Sequence, residues 1–236
     1  MNNIKKTVEM TKKYALQMKE DGVDCAAVCE TKFHPKKPKS KKTVVGDNLN
    51  KLSQAVTGCR KCPLSKTKKN TVYGEGNPRA KLMFIGEGPG FNEDRLGRPF
   101  VGMAGKLLDK IIESMKLKRE DVYITNIVKC HPMIDPTQPD KRGNDRKPTP
   151  EEIAVCIPYL EKQIELIKPK VICALGSVAG TTLLKLDIPI GKLRGKFYLY
   201  KNIKLMPTYH PAALLRNPGL KPLVWEDVKM IMKELG

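Results

Sequence analysis

The stretch Lys81-Leu-Met-Phe-Ile-Gly-Glu-Gly-Pro-Gly90 decides the fold, because a short apolar segment runs directly into a glycine-rich turn. An apolar run of this length without polar alternation is typical of a strand buried on both faces of a parallel sheet. Three similar runs follow at 122–128, 171–175 and 203–207. Helical patterns lie between these strands. The sequence therefore predicts an α/β fold with a mostly parallel sheet and helices on both faces.

Turn and cap residues place the helices and the long loop. Asp47 is predicted to cap a helix that ends near Gly58. Thr149-Pro-Glu-Glu152 predicts a helix start, with proline at the first helical position and acids in the first turn. Further helices are predicted at 104–116, after Gly176 and at 221–234. Residues 131–149 are rich in proline and charge and are predicted to be a loop.

Length and composition suit one domain with an appendage. The chain has 236 residues, of which 40% are hydrophobic, which is enough to build a core. Residues 1–45 are predicted to be a lysine-rich N-terminal extension, a helix at 3–20 followed by a basic linker, and residues 46–236 the folded domain. The Cys25 and Cys29 pair in the extension is only weak evidence for a metal. The sequence has neither a membrane-length apolar run nor an apolar leader, so we expect a cytoplasmic protein.

The net charge points to a polyanionic partner. It is +19; eleven lysines and six acids in residues 1–50 give +5 of this, which leaves +14 for the remainder. The folded body is therefore basic in its own right. Such a body is typical of proteins that bind nucleic acid, although a lysine-rich surface that serves solubility is the simpler alternative.

The cysteines follow a pattern that is typical of a metal site. An odd number of cysteines, seven, without a secretory leader disfavours a disulfide framework. The Cys59-x-x-Cys62 pair precedes the predicted α/β body, and the isolated Cys130 and Cys156 follow far downstream. Four thiolates from three segments could bind zinc or an iron–sulfur cluster, and spacing alone does not choose between them. Cys173 lies within an apolar strand, which indicates a core position.

Three side chains are candidates for ligand binding at the strand ends, where sites of such sheets lie. Asn126 ends a strand and offers one acceptor and two donors, enough to read an amide-like base edge, or else to satisfy nearby backbone. His210 follows the last strand and could donate to an oxygen that gains negative charge, or could be structural. Phe100, on a proline-constrained loop, is either core or a stacking platform for a flat ligand.

These elements occur together and in order, and the chain resembles the family 4 uracil-DNA glycosylases, the iron–sulfur type of bacteria and archaea. The resemblance covers about residues 47–236. It rests on motifs that are jointly specific: Cys59-x-x-Cys62-Pro63, Gly86-Glu-Gly-Pro-Gly90 with Glu93-Asp94, Gly97-Arg-Pro-Phe-Val-Gly102, Thr125-Asn-Ile-Val-Lys-Cys130, Cys156-Ile-Pro-Tyr-Leu160 and His210-Pro-Ala-Ala-Leu-Leu-Arg-Asn-Pro218.

The resemblance implies a three-layer α/β/α sandwich with a central, mostly parallel four-stranded sheet. It also implies a DNA-repair hydrolase that flips uracil out of DNA and hydrolyses its N-glycosidic bond, leaving an abasic site and free uracil. A structural [4Fe–4S] cluster would be held by four cysteines: Cys59, Cys62, Cys130 and Cys156. A non-catalytic, metal-clamped protein that binds nucleic acid is the alternative.

The resemblance also implies roles for single residues. The uracil would be bound by a set at the strand ends: Gly86, Glu87, Gly88, Phe100, Asn126 and His210. The residues implied to be catalytic are Glu87, Glu93, Asn126 and His210. Phe100 would stack on the base, Asn126 would read its pairing edge, and His210 would contact its O2 atom. Which carboxylate orients the water, if either does, stays open.

The expected partner is uracil-containing DNA, single- or double-stranded, bound by a monomer associated with the nucleoid; a repair or replication protein is a candidate second partner. Three residues after His210 could wedge into the DNA stack: Leu214, Leu215 and Arg216. One departure from the family concerns the loop, because 25 residues separate Cys130 from Cys156, more than the family leads us to expect. The surplus at 132–145 is predicted to bulge outward.

Overall fold

A six-stranded mixed sheet forms the centre of the described part of the chain, residues Lys41–Gly236 of a computed structural model. The strands are β1 (Glu75–Gly76), β2 (Leu82–Gly86), β3 (Tyr123–Asn126), β4 (Val171–Leu175), β5 (Tyr198–Tyr200) and β6 (Ile203–Thr208). Their order in the sheet is β1-β3-β2-β4-β6-β5. The four inner strands are parallel and are the four predicted ones, whereas β1 and β5 add antiparallel edges. The edge strands escaped prediction because runs this short carry no periodicity.

Helices cover both faces of the sheet, which confirms the predicted sandwich. They are α1 (Lys41–Thr57), α2 (Leu64–Thr67), α3 (Phe91–Leu96), α4 (Met103–Ser114), α5 (Pro150–Ile167), α6 (Ser177–Leu184), α7 (Ile190–Leu193), α8 (Pro211–Arg216) and α9 (Lys221–Leu235). Leu82 and Phe84 of β2 pack with α4 and α9. Met83 and Ile85 point to the other face and pack with α1, α5 and α6. None of the described helices is long and apolar enough to cross a membrane.

The start of α5 agrees with its predicted signals. The Thr149 side chain accepts a hydrogen bond from the Glu152 backbone N–H at 3.3 Å, and the Glu152 carboxylate accepts one from the Thr149 N–H at 2.8 Å. This reciprocal pair is a capping box. Arg146 pairs with the same carboxylate at 2.7 Å and so ties the end of the preceding loop to the helix.

The start of the first helix differs from its prediction. α1 begins at Lys41, inside the segment assigned to the extension, and Asp47 therefore lies within the helix instead of capping it. Asp47 is a plausible cap by residue type alone, but the helix continues upstream through residues that carry no stop signal. The helix predicted at 3–20 and the Cys25 and Cys29 pair lie outside the described residues.

The long loop, residues 131–149, lacks helices and strands as predicted, but only its middle bulges outward. Its two ends pair with each other through a bridge between Met133 and Asp145. The Ile134 N–H donates to the Asn144 carbonyl at 2.9 Å, and Met133 and Asn144 are buried. The predicted outward bulge is therefore wrong for the ends, because paired backbone folds them back against the body.

The carboxyl ends of the inner strands meet at one edge of the sheet. The register places Gly86 beside Asn126, and Leu175 beside Thr208. The Gly176 N–H donates to the Thr208 carbonyl at 2.8 Å and continues this alignment into the turns. Side chains from three predicted motifs are thereby brought to the same edge.

Candidate active site

A cleft of about 570 Å³ opens at this edge of the sheet. It is bordered by the turn after β2, the loop before α4, the end of β3 and the segment after β6. Most residues that the sequence predicted for base binding and catalysis line it: Glu87, Gly88, Glu93, Phe100, Asn126 and His210. The motifs are up to about 120 residues apart along the chain, so their meeting in one cleft is a property of the fold.

Asn126 carries an unpaired acceptor. The residue is 2% exposed, and its Oδ1 has no hydrogen-bond partner among the described residues. A buried acceptor without a partner costs about 1–3 kcal/mol, and such atoms cluster where a ligand completes the bonding. A Cβ on Gly86 would lie only 2.4 Å from this oxygen. The absence of a side chain at Gly86 thus leaves room for this amide and for the Phe100 ring, and its predicted contact with the base stays a prediction.

His210 is held as a neutral hydrogen-bond donor. Its Nδ1 accepts the Ala212 backbone N–H at 3.1 Å, which leaves the proton of the neutral ring on Nε2. Burial lowers the pKa of His210 to about 4, and the positive charge of Arg216 acts in the same direction. The ring is therefore uncharged at neutral pH and retains one N–H. That is the form in which an imidazole can donate to a ligand oxygen without bringing a charge of its own.

Phe100 is fixed against His210 in a strained backbone conformation. The two ring centroids are 5.5 Å apart at an interplanar angle of 29°. Phe100 has φ of 50°, in the left-handed region that bulky residues rarely adopt. Gly105 makes this possible, because a Cβ there would lie 1.9 Å from the Phe100 carbonyl oxygen. Phe100 thus belongs both to the core and to the wall of the cleft.

Glu93 holds that wall in place. Its Oε1 accepts the backbone N–H groups of Val101 and Gly102, both at 2.9 Å. Its Oε2 accepts the Gly90 N–H at 3.2 Å. Both carboxylate oxygens are occupied in joining the glycine-rich turn to the loop that carries Phe100. The structure therefore gives Glu93 a positioning role in this wall of the cleft, and the catalytic role that the resemblance implies stays a prediction.

Replacing Glu93 with glutamine should lower the free energy of unfolding by about 1–3 kcal/mol, because an amide group would oppose one of the three donors. The rate of the reaction in the cleft should fall as well, since the Phe100 loop loosens. Urea unfolding measures the first effect. Glu113→Gln, an exposed substitution on α4, is the matched control and should change little. Equal stability of the two variants would contradict the role given to Glu93.

Glu87 differs from Glu93 in its surroundings. It lines the cleft half-buried, and burial raises its pKa, although the charge of Lys147 partly opposes this. A carboxyl group in this setting is disfavoured as an anion. Glu87 is therefore placed to hydrogen-bond with a ligand in the cleft.

Comparison with known proteins decides the family. The sequence model of the Uracil DNA glycosylase superfamily matches residues 73–229. The type-4 uracil-DNA glycosylase of Saccharolobus solfataricus is 46% identical over 199 residues, covering 80% of this chain and 88% of that protein. The type-4 enzymes of Sulfurisphaera tokodaii (45% identical; 78% of this chain, 84% of that protein) and Archaeoglobus fulgidus (43%; 80% and 94%) are similar over comparable shares. The chain belongs to the type-4 uracil-DNA glycosylases.

The four cysteines expected to hold a cluster in a type-4 uracil-DNA glycosylase lie near one another. All are free thiols. Burial raises the pKa of Cys130 to about 12, and negative charge on Cys156, Cys62 or Cys59 would raise it further. Within residues Lys41–Gly236, no three His, Cys, Asp or Glu side chains converge closely enough to hold one metal ion. The thiols are thus neighbours whose charges interact, without forming a compact site for a single ion.

A buried lysine beside these thiols fits an anionic occupant. Lys129 is fully buried, and its ammonium donates to Thr125 Oγ1 and to the Asn126 carbonyl, both at 2.6 Å. Burial lowers its pKa to about 7, while negative charge on Cys156 would oppose this. Four thiolates around an iron–sulfur cluster carry net negative charge, which a buried ammonium would offset. The donor set and its charge therefore fit the cluster implied by the sequence.

The predicted DNA-wedging residues divide into two groups. Leu214 is 2% exposed and packs in the core beside α4 and α9, so the prediction that it contacts DNA is wrong for this conformation. Leu215 is 44% exposed, and Arg216 lines the cleft. The turn of α8 sends neighbouring side chains in different directions, and sequence order does not reveal which of them face outward.

Sequence reasoning missed a whole wall of the cleft. The long loop supplies four lining residues: Pro132, Asp145, Arg146 and Lys147. The Asp145 carboxylate accepts a hydrogen bond from Nε2 of the buried His131 at 2.6 Å. The only feature of the sequence that could have indicated this wall is the extra length of the loop. Extra length shows that residues are inserted, but not that they fold toward the cleft.

Proposed function

We propose that this uracil-DNA glycosylase binds an extruded uracil in the cleft, between the amide of Asn126 and the imidazole of His210, and hydrolyses its N-glycosidic bond. The observation that carries the proposal is the unpaired, buried Oδ1 of Asn126, which lines the same cleft as a neutral imidazole. The N3–H group of uracil is a donor of the kind that this oxygen lacks. The O2 atom, which flanks N3 on the side away from O4, would then face His210.

Extrusion of the base is needed because the glycosidic carbon is unreachable inside a stacked duplex. Turning a nucleotide out of the helix costs a few kcal/mol. Arg216 lines the cleft and the exposed Leu215 precedes it, so both are suited to occupy the vacated space. Basic side chains near the cleft, among them Lys147, would bind the flanking phosphates.

Cleavage would depend on stabilising the leaving group. As the bond to the sugar breaks, uracil gains negative charge that is shared with O2, and the sugar gains positive charge. The N–H of His210 donates to the charged oxygen more strongly than to the neutral one, which lowers the barrier selectively. The ring need not transfer its proton, which agrees with its neutral state in the fold.

The direct test incubates the purified protein with oligonucleotides that contain a single uracil, and with matched oligonucleotides that contain thymine or cytosine. We expect free uracil and an alkali-labile abasic site from the uracil substrate alone, whether single- or double-stranded. Salt-sensitive binding without base release would favour the alternative, a non-catalytic binder. An adduct that survives denaturant would instead indicate covalent capture of the DNA.

We further propose that Cys59, Cys62, Cys130 and Cys156 hold a [4Fe–4S] cluster. When bound, the cluster would tie three chain segments together and would take no part in breaking the glycosidic bond. Cys130 follows β3 by four residues, so ordering this segment also orders the strand end that carries Asn126. Lys129 supports the same link, because its ammonium contacts the Asn126 carbonyl.

Replacing Cys156 with alanine should abolish the visible absorbance and the bound iron of anaerobically purified protein, and should lower its melting temperature. Cys173→Ala is the control: Cys173 is a buried free thiol, but it lies in β4 and is assigned to the core. It should keep its full iron content while losing some stability from the cavity. Equal iron content in the two variants would contradict the proposed ligand set.

A further inference from the structure

Asp145 places an ionised carboxylate in the wall of the cleft. Its side chain is 54% exposed and lines the main cleft as well as a smaller adjoining hollow of about 260 Å³. A Cβ built on Gly90 would lie 3.6 Å from Asp145 Oδ1, so the carboxylate faces the glycine-rich turn. The bridge to Met133 fixes its backbone.

His131 fixes the orientation of this carboxylate. A carboxylate only accepts hydrogen bonds, so His131 must donate its Nε2–H across the 2.6 Å contact. This bond, in which the imidazole is buried, holds the pKa of Asp145 below its usual value. His131 thus anchors one side of the carboxylate, the Phe91 backbone N–H also helps to lower its pKa, and 54% of the side chain remains exposed.

The other carboxylates of the cleft are less suited to holding a water. Both oxygens of Glu93 are bound to backbone N–H groups. Burial disfavours the charged form of Glu87. Among the carboxylates that line the cleft, Asp145 combines a hydrogen bond from a buried imidazole with a side chain that is 54% exposed.

We propose that Asp145 is the residue that orients the attacking water, an inference that rests on the proposed glycosylase function. The water oxygen forms a new bond to C1′ of the deoxyribose as the bond from C1′ to N1 breaks, and the bonding pair leaves with uracil as its anion. The water proton passes through Asp145 to solvent, and the uracil anion takes up a proton on release. One water is consumed for each uracil freed, and no other reactant is required.

The test compares Asp145→Asn with the wild type under single-turnover conditions on a uracil-containing oligonucleotide. The rate of uracil release should fall by about 10²-fold or more, because a neutral amide neither attracts nor deprotonates the water. The dissociation constant for DNA should change by less than about threefold, since no contact with the base is lost. Asp140→Asn, at an exposed position of the same loop that pairs with Arg95, is the matched control and should keep the wild-type rate.

Chemical rescue separates orientation of a water from support of the loop. In Asp145→Ala, added formate should restore part of the lost rate in a concentration-dependent manner, because a small carboxylate can occupy the vacated space. The same formate should leave the wild type and Asp140→Asn unaffected. A defect in loop structure would not respond to formate.

The outcomes are distinct. A loss of rate at unchanged affinity, with formate rescue, supports the proposal. An active wild type whose Asp145→Asn variant keeps its rate, or loses only DNA affinity without rescue, overturns the role of Asp145 and leaves the glycosylase function standing. A wild type that releases no uracil overturns the function and this inference together.

Discussion

Replacing His210 with alanine should slow uracil release by about 10²–10³-fold, the cost typical of removing one donor to a developing anion. DNA affinity should change much less, because phosphate contacts supply most of it. Single-turnover rates and a binding titration on the same oligonucleotide measure the two quantities. The result expected is a large loss in rate at nearly constant affinity.

A second variant removes the structural part of this effect. His210 also caps α8 by accepting the Ala212 N–H, so alanine should cost about 1 kcal/mol of stability in addition. His210→Asn keeps a good cap on a shorter side chain that does not extend as far as the imidazole Nε2. Both variants should lose the rate, and only alanine should lose the cap. Full activity of the asparagine variant would contradict the proposal that His210 donates a hydrogen bond to the leaving uracil.

The pH dependence of stability independently tests the lowered pKa of the His210 imidazole. The pKa of His210 is lowered in the fold from 6.5 to about 4, so the unfolded chain binds the proton more readily between these values. Stability should therefore fall as the pH drops from 7 toward 4. By linkage, the wild type should lose about 2 kcal/mol more than His210→Asn between pH 7 and pH 5. Urea unfolding at the two pH values provides the measurement.

Asn126→Ala should lower activity without lowering stability, whereas His210→Ala should lower both. The rate should fall by about 10²-fold or more, because the base loses the amide that aligns it. Stability should stay level or rise, because the substitution removes a buried acceptor that has no partner among the described residues. Uracil release and urea unfolding, measured on the same preparation, test both halves of the statement.

Asn144 provides the matched control for stability. It is also buried, but its Oδ1 accepts the Asp135 N–H at 2.8 Å, and its Nδ2 donates to the Asp135 and Gln138 carbonyls. Asn144→Ala should therefore cost about 1–3 kcal/mol, since it leaves these groups unpaired. If Asn126→Ala destabilises the protein as much as Asn144→Ala does, the amide of Asn126 serves the fold and not a ligand.

The inner strands and the capped helices were predictable because their signals are local. β4 is an uninterrupted apolar run, and Thr149, Pro150 and the acids that follow predict the start of α5. α1 was misplaced because its upstream residues carry neither a cap nor a stop signal. The edge strands β1 and β5 depend on pairing partners that lie distant in sequence, and no short window contains that information.

The sequence predicted most of the residues that line the candidate site, but it predicted their roles less well. Asn126 and His210 stand at strand ends, where the topology brings them together. Glu93 was identified from its motif, but its role follows from the three backbone N–H groups around it, which only the folded turn reveals. Asp145 and His131 meet because the two ends of the loop pair with each other. A proline-rich segment without periodicity carries no signal that predicts this pairing.

The alignment of Gly86 with Asn126 has a consequence for engineering. A slip of one residue in that pairing would turn the amide to the opposite face, and the packed core on both sides of β2 opposes it. The half of the cleft that is proposed to read the base is thus fixed by the sheet, whereas the opposite rim belongs to a loop whose ends are paired at Met133 and Asp145. Chimeras that graft a different loop between those two residues should therefore reshape the rim while base selection is retained.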